Sequence, residues 1–202
     1  MPMDTAPSAS RKQLTHDRIL DTAARVLRKS GFGGVGVADI MKRAGLTHGG
    51  FYAHFASRDA LLAEALDRAG QDSRARLQRS VATAEAKSHS NFRALVESYL
   101  ADRHLESPES GCPVAALASE LPRQSDAVRA AGAARIASLV AAVQDVLPPG
   151  STAETAGIVA SQLVGALQIA RTLGHNARGK RHLAASRKFL LEQFDSPRPQ
   201  GR

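Results

Sequence analysis

Apolar residues recur at three- and four-residue intervals along almost the whole chain, and each run is cut by a glycine, a proline or a short polar stretch. Ile19, Leu20, Ala23, Ala24 and Leu27 form one run, closed by Ser30 and Gly31, and Val37, Ile40, Met41 and Ala44 form a shorter one, closed by Gly45. Residues so spaced share one face of a helix, whereas a half-buried strand alternates with period two, a pattern not seen here. The chain is therefore expected to be all-α, each helix burying one stripe. Composition agrees: 43% of the residues are hydrophobic but only 4% are aromatic, there is no Trp, and small aliphatic side chains suit close helix packing. A chain of 202 residues can bury a substantial core and is read as two unequal units.

Residues 1–11 and 196–202 lack periodicity and are expected to be disordered. Thr15 is the expected cap of the first helix, with Asp17 in its first turn. Gly36 stands at the start of the second helix, where Ser or Thr would cap better. Thr47 opens a very short third helix of about residues 48–54, whose Phe51 and Phe55 face inward. Ser57 caps a fourth that reaches about Arg79 and links the two units.

Beyond residue 88, Phe92, Leu95, Val96 and Tyr99 mark another helix, and Gly111 and Pro113 open a short segment that Pro122 ends. Ser125 caps a long helix with Val128, Ile136, Leu139, Val140, Val143 and Leu147 inward. Ser151 and Glu154 read as a capping box for a helix through Ile158, Leu163, Val164, Leu167 and Leu173. A last helix of about 179–194 carries Leu183, Leu190, Leu191 and Phe194, and Arg178, Lys180, Arg181 and His182 before and within its start read as a solvated loop.

The two short helices about Gly45 have the helix-turn-helix spacing, in which the second helix enters the major groove of DNA. The net charge of +8 suits a polyanionic partner; the segment 89–150, with 5 basic and 7 acidic residues, is the part least suited to one. The stretch GFGGVGVADIMKRAGLTHGGFYAHFASRDALL resembles the signature of the TetR family closely, and the resemblance covers about residues 12–72; farther on only the phrases GCPVAALASEL and LVGALQIARTL are similar. It implies an N-terminal three-helix DNA-binding domain over 12–72, with the helix-turn-helix at 36–55. A larger helical ligand-binding and dimerisation domain over 73–195 follows. It implies a cytoplasmic homodimeric regulator, usually a repressor, that leaves a palindromic operator when a small-molecule effector binds. Carried over by position, Thr47, His48, Gly49, Tyr52 and His54 face the DNA and Arg58 meets a phosphate, with Lys42 nearby. Hydroxyls, an arginine at a helix start and a side-chain-free glycine suit backbone contact; only His48 looks placed to read a base edge.

The effector is expected among the later helices, against Tyr99, His104, Cys112, Glu120, Gln124, Gln162 and Gln168, in a mostly apolar pocket. The dimer is expected to form through the last two long helices, where small residues let a partner approach Ala156, Ala160, Leu163, Val164 and Leu167, with Leu190 and Phe194 alongside. Cys112 is the one cysteine, so no internal disulfide forms; as a thiol between Gly111 and Pro113 it is either an inert buried residue or an electrophile or redox sensor. The histidines have no metal spacing, His48 and His54 being six apart, and no cofactor, metal site or enzymatic activity is expected. No run of 18 apolar residues or leader-like start argues for a membrane. The alternative to a regulator is a DNA-organising protein of low sequence specificity without a ligand.

Overall fold

The computed structural model describes residues 10–34, 36–85 and 90–195. Among these there are nine α-helices and no strand. Helix α1 (Arg11–Ser30), α2 (Val37–Arg43) and a 3-10 helix (His48–Ala53) precede the long α3 (Arg58–Glu85). Then come α4 (Asn91–Tyr99), α5 (Asp102–Glu106), α6 (Pro113–Leu117), α7 (Asp126–Gln144), α8 (Ala153–Leu173) and α9 (Ala177–Phe194).

Local chemistry moved several expected boundaries. Helix α1 starts at Arg11, one turn before Thr15, because the Ser10 hydroxyl accepts from Gln13 N–H at 3.2 Å. Thr15 instead donates back to the Arg11 carbonyl, and Asp17 lies beyond the first turn. The expected disorder of 1–11 thus fails at Arg11, while residues 1–9, like 196–202, lie outside the described residues. Ser57 does cap α3 through Ala60 N–H, but the helix continues to Glu85. At α8 the cap is Thr152, which accepts from Thr155 N–H; Ser151 instead donates to the Pro148 carbonyl, so the expected Ser151–Glu154 box does not form. Asn176 caps α9, putting Arg178, Lys180, Arg181 and His182 in its first turns and not in a loop.

Two apolar clusters hold the chain. The first joins α4, α6, α8 and α9 through Leu95, Val96, Leu163, Leu167, Leu183 and Leu190. The second packs α1, α2, the 3-10 helix and the start of α3 around Ile19, Met41, Phe51, Phe55 and Leu62. It is not closed by that bundle alone: Leu117, Leu121 and Val128, far along the chain, are buried in it. Helix α7 differs from expectation, since Val128 and Val143 are buried but Ile136 is exposed. Ile158 of α8 is also exposed, for a two-sided helix cannot bury every apolar residue against one neighbour. By length and composition α8 is apolar enough to cross a membrane, yet it packs Val159, Leu163, Leu167 and Ala170 into the first cluster.

Candidate nucleic-acid interface and cavity

Gly45, at φ 71°, makes the turn after α2 that only a residue tolerant of the left-handed region makes without strain. After Leu46 and Thr47, the six residues His48–Ala53 are wound as a 3-10 helix. Phe51 and Phe55 anchor it, their stacked rings 5.7 Å apart in the second cluster, and His16 stacks on Phe55 at 4.5 Å. With that side buried, Tyr52 is driven outward and is 72% exposed. Thr47, His48, Gly49 and, from α2, Lys42 are exposed with it. A Cβ added to Gly49 would meet nothing, so its backbone is open to close approach. Thr47 makes no side-chain cap, contrary to expectation, which leaves its hydroxyl unused by the helix.

Two expected contact residues, His54 and the exposed Arg58, are also engaged within the protein. His54 is half-buried, with Nδ1 lacking a partner; burial, then the neighbouring His16 and Lys12, lowers its pKa and keeps it neutral. Arg58 directs its guanidinium onto the Phe32 carbonyl at 2.7 Å, bracing the link between α1 and α2. Lys12, which carries no role in the sequence pattern, lies near His54 because α1 begins at Arg11, a start that the Ser10 cap signals.

A cavity of about 210 Å³ opens between α3, the α4–α5 corner, the start of α6 and α7, smaller than a drug-sized site but large enough for a single-ring organic molecule. Of the seven residues expected there, Tyr99, His104 and Cys112 line it. Glu120, Gln124, Gln162 and Gln168 do not. Glu120 accepts from Phe32 N–H at 3.0 Å, and Gln124 turns back to the Glu120 carbonyl, both at the contact with the first bundle; Gln162 and Gln168 lie on α8, outside the cavity wall.

His104 fixes the cavity wall. Its Nδ1 lies 2.6 Å from the Tyr99 carbonyl, which can only accept, so Nδ1 carries the proton and Nε2 is free to accept from Cys112 N–H at 2.9 Å. Burial pushes its pKa down to about 4, and nearby Arg171, Arg76 and Arg103 act in the same direction. The Tyr99 hydroxyl is buried without a hydrogen-bond partner beside Cys112, and burial raises its pKa well above the usual phenol value. Cys112 itself is buried.

The wall touches the first bundle directly. Arg28, near the end of α1, is buried; it donates to the carbonyls of Ala69 and Gly111 and pairs with Asp72 at 3.3 Å. One guanidinium thus joins α1, α3 and the residue preceding Cys112.

The expected dimer surface needs correction. Ala156, Ala160, Leu163, Leu167 and Leu190 are buried inside the protomer and present no free face, whereas Val164 and Phe194 pack against the same cluster but stay partly exposed. Outward-facing instead are Ile158 at 66% and Ile169 at 51% exposure on α8, and Phe189 at 49% on α9.

Residues 19–65 match the family described as bacterial regulatory proteins, tetR family. An uncharacterized HTH-type transcriptional regulator of Mycobacterium tuberculosis is 27% identical over 166 residues, 77% of this chain and 83% of that protein. In fold, the chain resembles a TetR-family transcriptional regulator from Agrobacterium tumefaciens, with a TM-score of 0.74 at 22% identity over 92% of this chain and 100% of the other. It also resembles a TetR transcriptional regulator from Chloroflexus aurantiacus, with a TM-score of 0.71 at 22% identity over 92% and 99% of the two chains.

Proposed function

Because the chain belongs to the TetR family of transcriptional regulators, we propose that it is a cytoplasmic homodimeric repressor that a small molecule releases from a palindromic operator. The observation that carries this reading is the exposed row of Thr47, His48, Gly49 and Tyr52, held outward by buried Phe51 and Phe55. Lys42 and Lys12 extend the row with positive charge, while Arg58 serves the loop below it. Such groups grip phosphates and position the protein; His48 is the side chain suited to a base edge.

The dimer forms through the outward faces of α8 and α9, where Ile158, Ile169 and Phe189 are exposed. Gly157 and Gly165, whose added Cβ atoms would meet nothing, leave room for a second copy. Two recognition elements must then lie about 34–36 Å apart to enter successive major grooves. A ligand in the cavity shifts α3 and the Gly111–Cys112 wall, and Arg28 passes the shift to α1, changing that separation.

Selection of bound fragments from genomic DNA tests this reading. A regulator prefers one palindromic site over bulk DNA by on the order of 10³ or more at physiological salt; a DNA-organising protein does not, and equal affinities overturn the proposal. Tyr52→Phe is expected to weaken operator binding about fivefold, the value of one hydrogen bond, and to leave binding in the cavity unchanged.

A further inference from the structure

The geometry points to an organic anion as the occupant of the cavity: a carboxylate or phosphate group held by Arg76, with an apolar body against Leu77, Leu139 and Ala142. This rests on the effector reading above and narrows it from a mostly apolar ligand to a charged one. Arg74, Arg76, Arg103 and Arg135 line the cavity and no Asp or Glu does. Arg135 is paired with Asp67 at 3.3 Å. Among the described residues Arg74, Arg76 and Arg103 make no ion pair within 4.0 Å; Asp72, one turn from Arg76, attracts it through space but makes its close pair with Arg28 and does not line the cavity.

Arg76 is the decisive residue, because its Nη2 is buried with no hydrogen-bond partner. A buried guanidinium nitrogen without a partner is costly, and a ligand oxygen is what would satisfy it. Arg171, behind the same wall, donates one nitrogen to the His104 carbonyl while its buried Nε is also unmatched, adding to the positive field. The neutral His104 and protonated Tyr99 contribute no countercharge. A cationic ligand would meet several guanidiniums and no opposing carboxylate on the wall; a neutral acceptor could meet the Arg76 nitrogen but without the stronger charge-assisted bond.

Fluorine NMR titration of the full-length protein with 4-fluorobenzoate, 4-fluorophenyl phosphate, 4-fluorobenzamide and 4-fluorobenzylamine tests the assignment at millimolar concentration. At least one anion should bind saturably and about tenfold or more tighter than the amide, a difference of about 1.4 kcal/mol, with the amine weakest. Their rank separates a carboxylate from a phosphate ligand. Arg76→Met should abolish the preference and Arg76→Lys should retain part of it, with circular dichroism and amide binding reporting that each variant is folded. Amide or amine binding as tight as the anions, no saturable anion binding, or anion binding unchanged in Arg76→Met overturns the inference. A gel-shift arm separates the two readings. An anion that binds through Arg76 without releasing operator leaves the site assignment standing and removes the effector role, whereas release by a neutral ligand does the reverse.

Discussion

His104 shows how one side chain can make stability depend on pH. Its pKa of about 4 lies below the value of about 6.5 for a free histidine, so the native state favours the neutral ring. Above pH 6.5 the ring is neutral in both folded and unfolded chains and its stabilisation is complete. Between about pH 6.5 and 4 the unfolded chain takes up a proton that the folded chain refuses, and stability should fall by up to about 1.4 kcal/mol per pH unit. Urea midpoints measured across that range should show the slope in the native protein and a shallower one in His104→Gln, where His54, whose pKa is also lowered, still contributes; equal slopes would refute the assignment. Gly31 is a second sensitive position. Its φ is 73°, and a Cβ there would come within 2.5 Å of a Glu120 carboxylate oxygen, the group that accepts from Phe32 N–H. Gly31→Ala should therefore lower stability by about 2 kcal/mol in denaturant unfolding, more than helix propensity alone would suggest.

At the scale of elements, the contact of α1 with the cavity wall depends on Arg28. Arg28→Met leaves the Gly111 and Ala69 carbonyls without their donor, and a loss of about 2–3 kcal/mol is expected, with faster amide exchange over 111–117. By contrast Arg43→Met, which removes only an exposed pair with Asp39, should change stability by about 0.5 kcal/mol or less. These differences also explain what was legible in the sequence. The helices and the outward row at 47–52 could be read because Gly45, Phe51 and Phe55 act through local spacing. Arg28 and Arg76 could not, since on a helix surface each looks like an ordinary solvated arginine, and only tertiary packing from α6 and the α4–α5 corner encloses them. The free face of α8 is hidden in the sequence for a related reason. Periodicity identified an apolar face on α8 but not which of its two apolar faces the protomer itself would use.

At the scale of the molecule, the exposed apolar stripe on α8 and α9 should set the assembly. Ile158→Glu with Phe189→Glu is expected to convert a dimer to a monomer by light scattering and to reduce operator affinity by more than tenfold, since two half-sites no longer bind together. Wild-type protein that is monomeric at micromolar concentration would contradict this. The second apolar cluster has a consequence of another kind. Leu117, Leu121 and Val128 fill the interior of the bundle that carries Tyr52, so that bundle is assembled from two separated stretches of chain. A fragment ending at residue 72 would expose the faces those three side chains cover, and it should populate a loosened state instead of an independent miniature. Exchange of the bundle between relatives should therefore succeed only if the stretch around 117–128 travels with it, because its interior is built from discontinuous stretches of chain.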